Sequence, residues 1–255
     1  MKTTFTLRTL TAFVVAASSL MIAASHEAIA ISIGDSFDTS HVYWDGNSVD
    51  VTGTIWDGMQ GTSFAAFANA NDTNAGELTI RKNTVQNAGS SAPLDSAALY
   101  VNVTGDFDAR VEMPGVSSLG NFGFRTHSLA AWTADQTQGI HLDNILGTSN
   151  SRRFRDLDDA VDEFADTGGG TDGWFRLERL GDDFNGYWST DGTSWSLIGT
   201  INRDYGPTLR VGVATWNDSN SDFGARFDNF EIIPEPASMA LLLSTAGLCC
   251  LRRRR

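Results

Sequence analysis

Residues 173–201 read GWFRLERLGDDFNGYWSTDGTSWSLIGTI, and this stretch decides the fold. Its apolar residues form three short runs, separated by Gly181-Asp182-Asp183 and by Asp191-Gly192. An Asp-Gly pair readily adopts the positive φ angles that a tight hairpin turn requires. The stretch therefore predicts three antiparallel strands joined by two turns.

The same pattern extends along the chain on both sides of this meander. Residues 107–113, FDARVEM, alternate apolar and polar side chains, which is typical of a strand with one buried and one wet face. Other short runs rich in aromatic or branched residues lie at 78–81, 98–103, 122–126, 138–142, 175–180, 184–188, 195–201, 209–215 and 227–233. Together these runs predict an all-β domain of about ten to twelve strands in two packed sheets.

The meander also carries a family resemblance. It is similar to the concanavalin A-like lectin/glucanase superfamily in Trp174, Arg176, Leu177, Tyr187, Ser189, Asp191, Gly192 and Trp195. Residues 35–38, DSFD, and 224–230, GARFDNF, resemble the opening and closing strands of such domains. The resemblance implies an antiparallel jelly-roll sandwich over residues 31–233, in which the two end strands pair.

The first 30 residues have the pattern of a secretory signal peptide. Lys2 and Arg8 precede an apolar stretch, and the segment closes with the small residues Ala28 and Ala30 at the two positions that signal peptidase reads. The sequence predicts cleavage by signal peptidase after Ala30, so that the exported chain begins at residue 31.

The tail, residues 234–255, combines Pro234-Glu235-Pro236, an apolar run over 239–251 and the basic end Arg252-Arg253-Arg254-Arg255. The apolar run predicts a short helix of about 20 Å, less than the roughly 30 Å hydrocarbon core, and the arginines stop translocation. The tail resembles the PEP-CTERM sorting signal, which implies handling by an exosortase. We expect a transient inner-membrane anchor, then delivery to the cell surface or the extracellular matrix. An ordinary tail anchor is the alternative.

Charge and cysteine content narrow the choice of partners. Residues 31–233 hold 12 basic and 29 acidic residues, a net charge of −17, which repels nucleic acid. Both cysteines, Cys249 and Cys250, lie in the tail, so no disulfide is expected in the domain. We expect no nucleic-acid partner.

No motif in the sequence identifies catalytic residues. Glucanases of the resembled fold carry a Glu-x-Asp-x-Glu strand with two carboxylates on one face, and that spacing does not occur here. His41, His127 and His141 are scattered, without a zinc-binding spacing, and Ser189 lacks the Gly-x-Ser-x-Gly elbow. These observations predict that the chain is not an enzyme, with a polysaccharide hydrolase as the less favoured alternative.

Residues 152–166, RRFRDLDDAVDEFAD, are acidic and carry apolar residues at offsets of three and four. This spacing favours a short amphipathic helix or a solvated loop. A calcium site is the alternative, because carboxylates suit this ion, but the segment does not match a calcium-loop template. The sequence therefore requires no cofactor, allows calcium and identifies no metal ligands.

Tryptophans provide the remaining functional hypothesis. A sugar ring stacks its apolar face on an indole while neighbouring polar groups bind its hydroxyls. Trp44, Trp132, Trp188 and Trp216 have Asp or Asn nearby and are the candidate glycan-binding residues, whereas Trp195 is expected in the core. The resulting hypothesis is an exported, non-catalytic protein that binds extracellular polysaccharide. A structural surface protein without a glycan ligand is the main alternative.

Overall fold

The computed structural model describes residues 32–82, 96–118, 125–146, 150–157, 164–166, 172–217 and 223–234. The chain divides into Ala30–Ser238, which holds every described strand, and a second unit of Met1–Ile29 and Met239–Arg255. The signal peptide, Glu235, Pro236, the apolar helix and the four terminal arginines lie outside the described residues. None of the helices within the described ranges has the length and apolar character needed to cross a bilayer.

The described residues form seventeen strands in two antiparallel sheets. Sheet 1 contains ten strands: β1 (Ile33–Asp35), β2 (His41–Trp44), β4 (Ala65–Ala70), β5 (Leu78–Lys82), β7 (Phe107–Met113), β8 (Val116–Ser118), β13 (Gly173–Leu180), β14 (Asp183–Ser189), β15 (Ser196–Asn202) and β17 (Phe223–Pro234). Sheet 2 contains seven: β3 (Gly58–Gln60), β6 (Ala97–Thr104), β9 (Arg125–Trp132), β10 (Gly139–Leu146), β11 (Ser151–Asp156), β12 (Phe164–Asp166) and β16 (Thr208–Asn217). The only described helical element is a 3-10 turn at Thr62–Phe64.

The order of the strands confirms the predicted jelly roll. Sheet 1 runs β15-β14-β13-β7-β17-β5-β4-β2, with β1 and β8 also paired to β17, and sheet 2 runs β12-β11-β10-β9-β16-β6-β3. The first and last strands pair, with Ile33 opposite Ile232. The chain therefore has the concanavalin A-like sandwich that the resemblance implies.

The meander forms where the turn residues predict it. Strands β13, β14 and β15 are neighbours, and Gly181 and Gly192 take φ angles of 62° and 70° at the two turns. The side chain of Asp191 accepts hydrogen bonds from the backbone N–H groups of Thr193 and Ser194, which closes the second turn. Local turn chemistry thus fixes the register of this edge of sheet 1.

The core lies between the two sheets. Alternation in β7 directs Phe107, Val111 and Met113 inward, and all three are fully buried. Sheet 2 contributes a matching inward row that includes Leu129, Leu142 and Phe154. Asp108, Arg110 and Glu112 of β7 face outward from sheet 1, and this outward face carries the site described below.

The structure corrects the interpretation of residues 152–166. Residues 151–156 form β11 and residues 164–166 form β12, rather than an amphipathic helix or a loop. Phe154 pairs with Phe164 between these two strands, and residues 158–163 lie outside the described residues. Asp156 is buried and bound by Arg203, whose Nε lies 2.6 Å from Asp156 Oδ2.

Candidate active site

Two carboxylates face each other across neighbouring strands of sheet 1. Glu112 of β7 lies directly opposite Asp228 of β17 in the antiparallel register. Both residues sit between inward core residues, Val111 and Met113 in β7 and Phe227 in β17, so both point outward. Side chains directly opposite each other have Cβ atoms about 5 Å apart. The fold thereby builds a carboxylate pair from residues distant in sequence.

A β-bulge links the two carboxylates through one residue. The register shifts between Asp228 and Glu231, and Asn229 in this interval adopts a left-handed φ of 48°. The backbone N–H of Asn229 donates to Asp228 Oδ1 at 2.7 Å, and its side-chain Nδ2 donates to Glu112 Oε2 at 2.9 Å. Each carboxylate therefore receives one hydrogen bond from the same residue.

The electrostatic surroundings of Asp228 favour its protonated form. Partial burial raises the pKa of Asp228 to about 6, assisted by the negative charges of Glu112, Glu77 and Asp38. Glu77 is itself bound by both arms of the Arg226 guanidinium. Among the described contacts, no basic side chain pairs with Asp228. Asp228 therefore holds a proton at mildly acidic pH, where an ordinary aspartate does not.

An indole and a cavity border the pair. Trp174 of β13 lies directly opposite Glu112 on the side away from Asp228 and is half-buried. A cavity of about 560 Å³ adjoins it, lined by Ser32, Gly34, Asp35, Ser36, Trp174, Asn229, Phe230 and Glu231. This volume lies within the range of small-molecule sites. The cavity shares Trp174 and Asn229 with the surroundings of the carboxylate pair.

The next carboxylate along β7 has the opposite environment. Asp108 accepts hydrogen bonds from Arg110 Nη2 at 2.6 Å and from Arg176 Nε at 2.9 Å. Burial acts to raise its pKa, but the two guanidiniums hold the pKa of Asp108 below its usual value. Asp108 thus lies on the same outward face as Glu112, but its charge is paired with two arginines and its role is structural.

Sheet 2 carries a second polar cluster, on its face directed away from the core. Ser128 Oγ donates to Asp143 Oδ1 at 2.5 Å, Arg155 Nε donates to Asp143 Oδ2 at 2.8 Å, and His141 Nδ1 lies 3.5 Å from Asp143 Oδ1. Ser128, His141 and Asp143 are fully buried. Because the serine contacts the aspartate rather than the histidine, the cluster lacks the order of a nucleophilic triad.

The pKa values in this second cluster follow from its burial and its ion pair. Burial acts to raise the pKa of Asp143, but the adjacent Arg155 guanidinium holds it well below its usual value. Burial lowers the pKa of His141, which is therefore neutral. In β9, burial also lowers the pKa of His127, to about 3. The cluster holds a charged aspartate that is paired with an arginine.

The four candidate glycan-binding tryptophans do not form one surface. Trp188 is 7% exposed and sits in the core, edge-on to Phe175, with the Arg152 guanidinium 3.5 Å from its ring centre. Trp132 is 1% exposed and donates to Gln60 Oε1. Half-buried Trp44 donates to the carbonyl of Ala65. The backbone of Trp216 lies in β16, but its side chain lies outside the described residues.

These positions change which indoles suit stacking. Trp188 and Trp132 present little surface, whereas Trp174 is half-buried next to the carboxylate pair. Trp195, expected in the core, is also half-buried, with the Arg110 guanidinium 5.9 Å from its ring centre. The glycan-binding roles of Trp44, Trp132, Trp188 and Trp216 stay predictions.

The described residues contain no group of three or more His, Cys, Asp or Glu that could hold a metal ion. Most of the carboxylates of 152–166 lie outside the described residues. Calcium therefore stays a prediction without assigned ligands. His41, which lacks a zinc-binding spacing in the sequence, has its Nε2 2.8 Å from the carbonyl oxygen of Asp50.

Comparison with known proteins shows the fold. No protein-family model and no curated protein matches the chain. A functionally unknown protein from Saccharomyces cerevisiae is 14% identical, with a TM-score of 0.53 over 64% of this chain and 90% of that one. The GH43 BlXynB protein from Bacillus licheniformis is 13% identical, with a TM-score of 0.53 over 79% of this chain but only 39% of that one. A lichenase from a mouse hindgut metagenome is 9% identical, with a TM-score of 0.46 over 80% of this chain and 99% of that one.

This finding corrects the prediction that the chain is not an enzyme. That prediction rested on the absence of a Glu-x-Asp-x-Glu strand, but the chain shares its fold with part of the GH43 BlXynB protein. Moreover, the Glu112–Asp228 pair spans two strands, so a motif within one strand could not reveal it.

Proposed function

We propose that the domain hydrolyses a glycan at the Glu112–Asp228 pair. The observation that supports this proposal is a pair of facing carboxylates, in which partial burial raises the pKa of Asp228 to about 6. Glycoside hydrolysis requires a proton donor and a second carboxyl group on either side of the glycosidic bond.

The proposal gives each carboxyl group a role. Protonated Asp228 donates its proton to the glycosidic oxygen as that bond breaks, while ionised Glu112 attacks the anomeric carbon. Water then attacks the glycosyl–Glu112 ester, and Asp228 accepts the proton of that water. A separation of about 5 Å between carboxyl groups is typical of hydrolases that retain the anomeric configuration.

The surroundings of the pair favour a neutral glycan. Trp174 offers an indole face for a sugar ring beside Glu112. The negative charges of Glu77 and Asp38 act on Asp228, and residues 31–233 carry a net charge of −17. An unsulfated, uronate-free chain such as a β-glucan or a xylan avoids this repulsion.

The test uses the purified full chain with mixed-linkage β-glucan, laminarin and xylan. The wild type is expected to release reducing sugar, and Glu112→Gln and Asp228→Asn are each expected to reduce the rate at least about 1,000-fold. Asp108→Asn, on the same face but outside the pair, serves as the matched control and should retain activity. No release by the wild type from any of the three glycans would refute the proposal.

We also propose that the protein acts outside the cell after sorting by its tail. The support is the sequence of both ends, and the last described strand, β17, ends at Pro234, the first residue of the proposed motif. Signal peptidase and an exosortase are the expected processing partners, and extracellular polysaccharide is the expected substrate. Replacing Pro234-Glu235-Pro236 by alanines should preserve export but abolish surface delivery, which cell fractionation measures. Surface delivery at the wild-type level would refute this proposal.

A further inference from the structure

Asn229 combines an unfavourable backbone conformation with contacts to both carboxylates. Its φ of 48° lies in the left-handed region, which non-glycine residues adopt uncommonly, although asparagine tolerates it better than most. The residue lies where β17 loses register with β7, and a bulge of this kind redirects a side chain near a functional site. An exposed asparagine in this conformation is one of the few non-glycine residues of the described chain with positive φ.

The two hydrogen bonds of Asn229 act on different partners. The backbone N–H reaches Asp228, and the side-chain amide reaches Glu112. The amide donor stabilises the charge of Glu112 and restricts the rotation of its carboxylate. Without the bulge, residue 229 would point to the core side of sheet 1, opposite to Asp228, and its amide could not reach the outward face.

We infer that Asn229 is a positioning residue that holds the Glu112 carboxylate opposite Asp228. This inference rests on the proposed function for its kinetic consequence. Its structural consequence, the coupling of Asn229 to proton uptake by the pair, can be measured whether or not a glycan is cleaved.

Asn229→Gly is the informative variant. Glycine accepts the positive φ without strain and retains the backbone N–H that binds Asp228, so the variant removes only the amide that binds Glu112. Asn185→Ala is the matched control, because Asn185 Nδ2 donates to Glu178 Oε2 at 3.2 Å on the same sheet but away from the pair. Thermal unfolding verifies that both variants fold.

The first measurement is a ¹³C NMR titration of the Asp228 carboxyl group in the full chain. Loss of a donor that stabilises the charged pair should raise the pH of proton uptake at Asp228 by about half a unit or more in Asn229→Gly. Asn185→Ala should leave this midpoint unchanged. An unchanged midpoint in Asn229→Gly would overturn the inference regardless of any enzymatic activity.

The second measurement is a double-mutant cycle on glycan hydrolysis. Asn229→Gly should lower kcat about 10- to 100-fold with KM unchanged, because the nucleophile is misplaced while substrate contacts persist. In a Glu112→Gln background the same change should alter the residual rate less than about twofold, since its effect acts through Glu112. Full additivity of the two changes would overturn the inference. If Asn229→Gly shifts the NMR midpoint but the wild type cleaves no glycan, the proposed function is refuted and the positioning role of Asn229 is supported.

Discussion

The outward face of each sheet carries an aspartate that is at least partly removed from water, but the two aspartates have opposite surroundings. On sheet 2, Asp143 is fully buried, yet Arg155 and Ser128 satisfy its oxygens and its pKa lies well below the usual value. On sheet 1, Asp228 is only partly buried, yet this burial, assisted by nearby carboxylates and not offset by a described cation, raises its pKa to about 6.

The difference shows that burial alone does not identify a reactive carboxylate. A buried charged group whose hydrogen-bond and ion-pair partners are all present keeps one protonation state and contributes to the fold rather than to proton transfer. A carboxyl group with a raised pKa and an ionised neighbour has a proton to transfer near neutral pH. The comparison therefore supports a structural role for Asp143 and the proposed role of Asp228 as a proton donor, and each role can be tested.

The largest expected effect is on sheet 2. Asp143→Ala should lower the free energy of unfolding by about 3 to 5 kcal/mol, because it leaves the Arg155 guanidinium and the Ser128 hydroxyl without their acceptor. Urea denaturation at pH 7 measures this loss. A decrease below about 1 kcal/mol would show that Asp143 is not the anchor of the cluster, and the contrast between the two sheets would fail.

The second prediction concerns the stability of the fold at acidic pH. Burial lowers the pKa of His127 to about 3, so as the pH falls below 6.5 the unfolded chain takes up the proton first. The folded state consequently loses about 1.4 kcal/mol for each pH unit through this group, down to pH 3. His127→Leu should remove that slope between pH 6 and pH 4 in urea denaturation. Equal slopes in variant and wild type would contradict a buried neutral histidine.

The sequence predicted the fold well where strands have one wet face. Strand β7 has the bounds expected from the alternation at 107–113, and the meander follows from its turn residues. Strand β10 was predicted as 138–142 but spans Gly139–Leu146, because all eight of its residues are buried and no alternation marks its end. Short strands such as β3 and β12 were not predicted, because three residues carry too little pattern.

The candidate site was less accessible to sequence reasoning than the fold. The alternation in β7 places Glu112 on the outward face, but Asp228 lies 116 residues later, and only the strand register brings the two together. The bulge at Asn229 has no sequence signal beyond an Asp-Asn pair. Motif searching within one strand consequently led to the wrong prediction that the chain has no enzymatic activity.

The third prediction tests the support of the sheet 1 site. Gly192 has a φ of 70°, and a Cβ added there would lie 2.9 Å from the Trp174 ring. Gly192→Val should lower the free energy of unfolding by about 2 kcal/mol or more, through backbone strain and displacement of the indole. Gly181→Val is the matched control, since Gly181 has a φ of 62° but no atom near the added Cβ. Equal losses of stability would show that Trp174 is not held by this turn.

The smallest expected effect has the opposite sign and distinguishes the two faces most directly. The pKa of Asp228 rises from 3.8 to about 6 on folding, so its contribution to stability is present below pH 3.8 and is lost as the pH rises through 6. Asparagine carries no charge at any pH. Asp228→Asn should therefore match the wild type near pH 4 and be more stable at pH 8, by about 1 kcal/mol after allowance for solvent screening. Asp108→Asn, which breaks an arginine-bound carboxylate, should be destabilised at pH 8 in the same thermal-unfolding series. Destabilisation of Asp228→Asn at pH 8 would instead mean that its charge is compensated in the folded state, as at Asp143.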